Sequence, residues 1–246
     1  MVVVLLSAGC FDITEELWLN KDRSGRYEMT VSVLSGPFAS MLRMAQDKSN
    51  DSLRALGKAP RSADTLIRLG DLPDSLKRRF AHPEILDRIV MQTRMTKGLE
   101  VLFKYDFRKM EELPFFWETL STLDALQKDS TVQGLDAFKV PGANGAQGMG
   151  AGAPDIQFDG KTVRRISPPD STNLDPGALL FDHDSDPFVK MLFSNKKYRL
   201  IYHLPKKVKS VQGTGYRIDG KTVSAEFPLF DVVRDKGKLS CAITLK

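Results

Sequence analysis

The sequence predicts an α+β fold in which antiparallel β-hairpins form one or two sheets and helices pack on one face. Three observations predict it. Apolar side chains alternate strictly at Tyr27, Met29, Val31 and Val33, and again at Leu99, Val101, Phe103, Tyr105 and Phe107. Each of these strands belongs to a hairpin followed by a segment of helical period, over 11–46 and 88–126. The pentapeptide Asp-Gly-Lys-Thr-Val occurs at 159–163 and again at 219–223, and Asp-Gly flanked by strand-forming residues is hairpin-turn chemistry. With 246 residues, 41% hydrophobic and 27% charged, the chain has the material for a packed core.

In order, Phe11, Ile13, Leu17 and Leu19 share one strand face, on which Glu15 is the exception. Asn20-Lys21-Asp22-Arg23-Ser24-Gly25 supplies the turn and Arg26–Leu34 the return strand. Ser35 caps a helix over 36–46, with Pro37 in its first turn. Asp47–Pro60 is polar and turn-rich. Short helices are expected at Ala63–Leu69 and Leu72–Ala81, with Lys77-Arg78-Arg79 on a solvated face. Ile89, Met91, Thr93 and Met95 then form one strand face. Lys97-Gly98 is a two-residue turn into Leu99–Phe107. A helix over 108–126 presents Leu113, Phe116, Trp117, Leu120 and Leu123 as its apolar side.

The stretch 141–154 is glycine-rich and lacks the Gly-Lys-Ser/Thr ending of a phosphate-binding loop, so it reads as a flexible loop. It divides a hairpin–helix half, 10–140, from a mostly β half, 155–246, and the two halves are expected to pack together. The second half holds the hairpin around Asp159-Gly160 and a helix over 186–193. Strands follow at Tyr198–Leu204, Val208–Ile218, Thr222–Pro228 and Lys238–Leu245, with a short helical turn at Leu229–Val233. Leu239, Cys241, Ile243 and Leu245 alternate on one face, which makes Cys241 a core thiol.

The net charge is +5, with cations and carboxylates interspersed. That is not the concentrated basic stripe of a nucleic-acid binder, and no nucleic-acid partner is expected. No run after the N-terminus approaches the length of a membrane-spanning helix. Asp182-His183-Asp184-Ser185-Asp186 is the one metal-like cluster, with Asp182, Asp184 and Asp186 as weak ligand candidates. Pro187 stands where a calcium loop needs glycine and Phe193 where it needs a bidentate Glu, so a capping turn ahead of the 186–193 helix is the competing reading. His82, His183 and His203 lack zinc-ligand spacing. Glu15-Glu16 and Glu111-Glu112 are adjacent pairs whose side chains diverge. No catalytic residue and no cofactor is assigned. Lys206, Lys207 and Lys209, with Lys196-Lys197, form a basic patch around one strand, either an anti-aggregation edge or a contact for lipid headgroups. Phe115, Phe116 and Trp117 are candidates for lining an apolar ligand pocket.

Val2-Val3-Val4-Leu5 leads into Leu6-Ser7-Ala8-Gly9-Cys10, an apolar run ending in small residues, as an exported segment ends. With Cys in place, the stretch resembles the lipobox of bacterial lipoproteins. That resemblance implies acylation of Cys10 and makes residues 1–9 a signal-peptide remnant. Ser7 replaces the common Leu three before the Cys, and no Lys or Arg precedes the run. A plain strand Val2–Leu6 running into Phe11 is the rival reading. The turn Trp18–Gly25, the pattern Tyr27-x-Met29-x-Val31, the stretch Tyr198–Val208, Asp219-Gly220-Lys221 and Leu229-Phe230-Asp231 together resemble lipoproteins of Bacteroidota-type bacteria and, more distantly, the LppM-type lipoprotein domain. Arg23 stands where that turn usually has glycine. The resemblance implies a cell-envelope location and an antiparallel α+β domain, and it carries no catalytic residues. The expected function is a lipid-anchored lipoprotein of the envelope, at the outer membrane, that binds or scaffolds without catalysing. The alternatives are a carrier of a lipid or other apolar ligand, and a hydrolase using Asp182, Asp184 or His183.

Overall fold

In the computed structural model the described residues are 11–33, 64–95, 99–128, 153–167 and 196–246, with positions 44, 51, 54 and 55. They are mostly β-structure in two sheets with few helices. The eight-stranded sheet contains β1 (Phe11–Leu19), β2 (Gly25–Val33), β3 (Thr65–Arg68), β4 (Ile89–Met95), β5 (Leu99–Phe107), β8 (Lys197–His203), β10 (Tyr216–Asp219) and β11 (Thr222–Pro228), in the order β10-β11-β8-β1-β2-β5-β4-β3. The four-stranded sheet contains β6 (Asp155–Phe158), β7 (Thr162–Ile166), β9 (Val208–Gln212) and β12 (Cys241–Leu245), in the order β6-β7-β12-β9.

The two hairpins legible in the sequence are β1–β2, paired from Phe11↔Val33 to Leu19↔Gly25, and β4–β5, paired from Ile89↔Tyr105 to Met95↔Leu99. They join through β2 and β5, again antiparallel. β8 then pairs with β1 in parallel, Ile13↔Tyr198 to Trp18↔His203. A strand from beyond residue 155 therefore completes a sheet begun at residue 11. Period-two alternation leaves the large sheet one-sided. Ile13, Leu17, Tyr27, Met29, Met91, Phe103, Tyr105, Leu200, Tyr202 and Val223 are buried in one core. Their neighbours Thr14, Glu16, Thr30, Lys104 and Arg199 are partly exposed.

Helix α1 (Asp74–Lys77) is a single turn, α2 (Leu113–Lys128) has sixteen residues, and α3 (Leu229–Arg234) follows β11. Phe116 and Trp117 of α2 meet Tyr27 of β2 at ring-centroid distances of 5.5 and 5.4 Å. The N-terminus of α2 is tied to the sheet through Glu112. Its carboxylate accepts from Arg88 Nη1 at 2.6 Å, Arg108 N at 2.9 Å and Tyr105 OH at 3.4 Å. Partial burial works against the charged form, but these donors outweigh it and hold Glu112 below the ordinary carboxylate range. A carboxyl depressed on folding contributes stability above its unfolded pKa and loses it as pH falls through the folded value. Glu112→Gln is therefore expected to flatten the acid limb of a urea-unfolding series taken from pH 6 downward. An acid limb identical to wild type would show that Glu112 is not paired in solution.

Three sequence expectations are corrected. Ala63–Leu69 is not helical: Thr65–Arg68 is edge strand β3, running into a 3-10 turn at Leu69–Asp71. The expected helix Leu72–Ala81 shrinks to α1, and Pro83–Arg88 forms a further 3-10 turn. Val208–Ile218 is two strands. The turn Gly213-Thr214-Gly215 breaks it, sending β9 to the small sheet and β10 to the large one. The two Asp-Gly-Lys turns are hairpin turns as expected, with Gly160 at φ 96° and Gly220 at φ 60°, backbone that side-chain-bearing residues avoid. Helices expected at 36–46 and 186–193, the turn Lys97-Gly98 and all of the 141–154 stretch before Ala153 lie outside the described residues.

Candidate functional site

Period two turns Glu15 inward between Ile13 and Leu17, and turns Arg165 inward two places beyond Val163 on β7. The two meet between the sheets. Arg165 Nη1 lies 2.5 Å from Glu15 Oε2 and Nη2 lies 3.2 Å from Oε1, a bidentate pair whose side chains are 3% and 4% exposed. Tyr198 OH also donates to Glu15 Oε1, and Arg165 Nε donates to Ser167 Oγ at 3.1 Å. Ser167 N donates to Ser240 Oγ at 3.0 Å, which ties the end of β7 to the residue before β12.

Tyr27, Tyr202, Tyr216 and Cys241 surround this pair electrostatically. Burial pushes all three phenols up, and the Glu15 carboxylate adds to the rise at Tyr27 and Tyr202. Burial also raises the Cys241 thiol, which therefore stays protonated at neutral pH. For Arg165, burial alone would favour the neutral form; the Glu15 carboxylate reverses that and raises its pKa well above the ordinary value. Among the described residues Tyr27 OH and Tyr202 OH have no hydrogen-bond partner. Glu15, Arg165, Tyr27, Tyr198, Tyr202 and Cys241 are buried, and Tyr216 is partly buried at their margin. The chemistry of this ensemble is to hold two sheets in register through one desolvated ion pair.

The other sequence-derived candidates are scattered. Asp182, His183, Asp184, Asp186 and Cys10 lie outside the described residues. Among the described residues no group of three or more His, Cys, Asp or Glu is placed to hold a metal ion, and no helix is long and apolar enough to cross a membrane. His203 stacks on Trp18 at 4.8 Å, with Nε2 3.2 Å from Glu16 Oε2, a cross-strand contact between β8 and β1. His82 stacks on Phe115 at 3.6 Å, between Glu84 and Glu118. Phe116 and Trp117 are core residues, while Phe115 is partly buried against the core. A depression of about 320 Å³ is bounded by Arg199, Ile201, Arg217, Ser224, Ala225 and Glu226, and the Glu226 carboxylate in it sits 2.6 Å from Lys197 and 2.9 Å from Arg199.

The basic patch around β8 is divided. Lys196 is buried at the start of the strand and Lys197 pairs with Glu226, so neither offers a free surface charge. Lys206, Lys207 and Lys209 are exposed at the opposite end, past His203. The sequence missed Arg165 as the partner of Glu15. Its only signal was a charged residue on each of two otherwise apolar strand faces.

No family model matches the chain and no curated protein does. Among solved structures it is similar to the folded domain of LppM from Mycobacterium tuberculosis, determined by NMR, at 11% identity and a TM-score of 0.41 over 100% of this chain and 95% of that one. At that identity and TM-score the likeness transfers no residue and no activity.

Proposed function

We propose that the chain is a lipid-anchored protein of the bacterial cell envelope, held at the outer membrane through an acylated Cys10, and that it binds or scaffolds without catalysing a reaction. The observation that carries this reading is the position of β1. Cys10 is followed at once by Phe11, the first residue of β1, and β1 lies fourth in the order of the eight-stranded sheet. A lipid on Cys10 grips the sheet near its middle with no linker between anchor and fold. Together with Ser7-Ala8-Gly9 ahead of the cysteine, this favours a body presented rigidly from the membrane.

The test is mass spectrometry of the N-terminus of the protein from its native cell, with fractionation of Cys10→Ala. An acylated Cys10, and release of the variant into the soluble fraction after a high-salt wash, are the expected results. A variant still membrane-bound after that wash, or an unmodified residue upstream of Cys10, sinks the anchor.

A further inference from the structure

Five segments meet at the end of the large sheet opposite Phe11: the turn 20–24, the turn 159–161, the connection 204–208, the turn 219–221 and the residues 245–246. Main-chain hydrogen bonds lock four of them together. Leu204 N donates to Lys221 O at 2.9 Å, Val208 N to Gly220 O at 2.9 Å, Lys246 N to Lys207 O at 2.9 Å and Leu245 N to Lys161 O at 2.8 Å. The fifth joins through Arg23 Nη2, 3.4 Å from Asp159 O. The lysines thus give the fold their backbone atoms and leave their ammonium groups to solvent.

Lys21, Arg23, Lys161, Lys206, Lys207, Lys221 and Lys246 are all exposed. Against these seven cations the same segments carry three carboxylates, Asp22, Asp159 and Asp219, a net +4 where the whole chain has +5. Two of the three are occupied locally. Asp22 accepts from Ser24 N and Oγ, and Asp159 from Lys161 N and Thr162 N. Arg23 places a cation at φ 68°, a conformation that favours glycine. Lys209 extends the patch along β9, and Ile218 stands beside it as an exposed apolar side chain, 46% accessible.

We propose that this basic end docks on an anionic phospholipid surface, its ammonium groups meeting headgroup phosphates and Ile218 entering the headgroup boundary. Six of the seven cations are lysines, compact charges suited to a field of phosphates rather than to bidentate readout of one ligand. An exposed isoleucine among lysines gains from a bilayer interface and nothing from a nucleic-acid backbone. Because β1 spans about 30 Å at about 3.3 Å per residue, this end lies about that far along the sheet from Phe11. The docking itself does not depend on the anchor.

The full chain carrying Cys10→Ala is floated with phosphatidylglycerol–phosphatidylcholine vesicles and with pure phosphatidylcholine vesicles, at low and high salt. Binding only to the anionic vesicles, abolished by salt, is the expected result. Adding Lys206→Glu, Lys207→Glu and Lys221→Glu is expected to weaken it more than tenfold, since each lysine near an anionic surface is worth about a fivefold change. Charge reversal at Arg94, Lys197 and Lys238, toward the opposite ends of their sheets, is expected to leave it within about twofold. Circular-dichroism melts confirm that both variants fold. Equal binding to neutral vesicles, an equal loss from both triple variants, or tight binding to a DNA duplex without binding to anionic vesicles overturns the proposal.

Discussion

Glu15→Ala is expected to cost about 3–5 kcal/mol of stability, the usual consequence of stranding one member of a buried ion pair. The guanidinium of Arg165 is 3% exposed, and no other carboxylate takes the place of Glu15 among its hydrogen-bond partners. Tyr198 OH loses its acceptor in the same step. With typical domain stabilities of about 5–15 kcal/mol, one substitution can remove most of the margin. The midpoint of urea unfolding at neutral pH measures it.

The paired replacement Glu15→Leu with Arg165→Met separates charge from shape. Two apolar side chains of similar bulk remove both desolvation penalties and leave no buried charge, so the double variant is expected within about 1–2 kcal/mol of wild type. A strongly negative coupling between the two sites is the signature of a desolvated pair. If Glu15→Ala alone falls within about 1 kcal/mol of wild type, water reaches the pair and the inter-sheet clamp is wrong. What the pair contributes is placement. β1 and β7 are 150 positions apart at Glu15 and Arg165, and each belongs to a different sheet. An apolar contact there would allow the sheets to slide, whereas a bidentate fork fixes one register.

Much of the large sheet was legible because its strands carry their own period. Tyr27, Met29 and Val31, and Val101, Phe103, Tyr105 and Phe107, are buried on the faces their alternation predicts. Cys241 is buried between Leu239 and Ile243 for the same reason. What failed was short or non-local. Four residues of β3, with Leu66 57% exposed at the sheet edge, are too few to distinguish period two from period 3.6. The parallel pairing of β8 with β1 has no local signal, because partner choice depends on which faces remain unburied after the hairpins close. The basic end was only partly visible: the sequence grouped Lys196-Lys197 with Lys206-Lys207-Lys209 by proximity, while the strand between them carries the two groups to opposite ends. Lys21, Lys161, Lys221 and Lys246 join the second group only through the meeting of turns from both sheets.

Phe116→Ala is the second large effect, expected to cost about 3–5 kcal/mol. The phenylalanine is fully buried, stacked on Tyr105 at 5.5 Å and 5° between planes, tilted against Tyr27 at 5.5 Å and edge-on to Trp117 at 5.2 Å. Truncating it removes contacts to two strands and the helix together, and those rings cannot close the gap without leaving their rotamers. The same substitution decides between two readings of the aromatic run Phe115-Phe116-Trp117. If these rings line a ligand pocket, removing one leaves folding nearly unchanged and diminishes any co-purified lipid. If they are the joint between α2 and the sheet, the urea midpoint falls sharply and a Phe116→Leu variant, which refills most of the volume, recovers more than half of the loss. Contact of Phe116 with Tyr27 and Tyr105, on neighbouring strands β2 and β5, favours the joint. A stability loss below about 1 kcal/mol would return the cluster to the pocket reading.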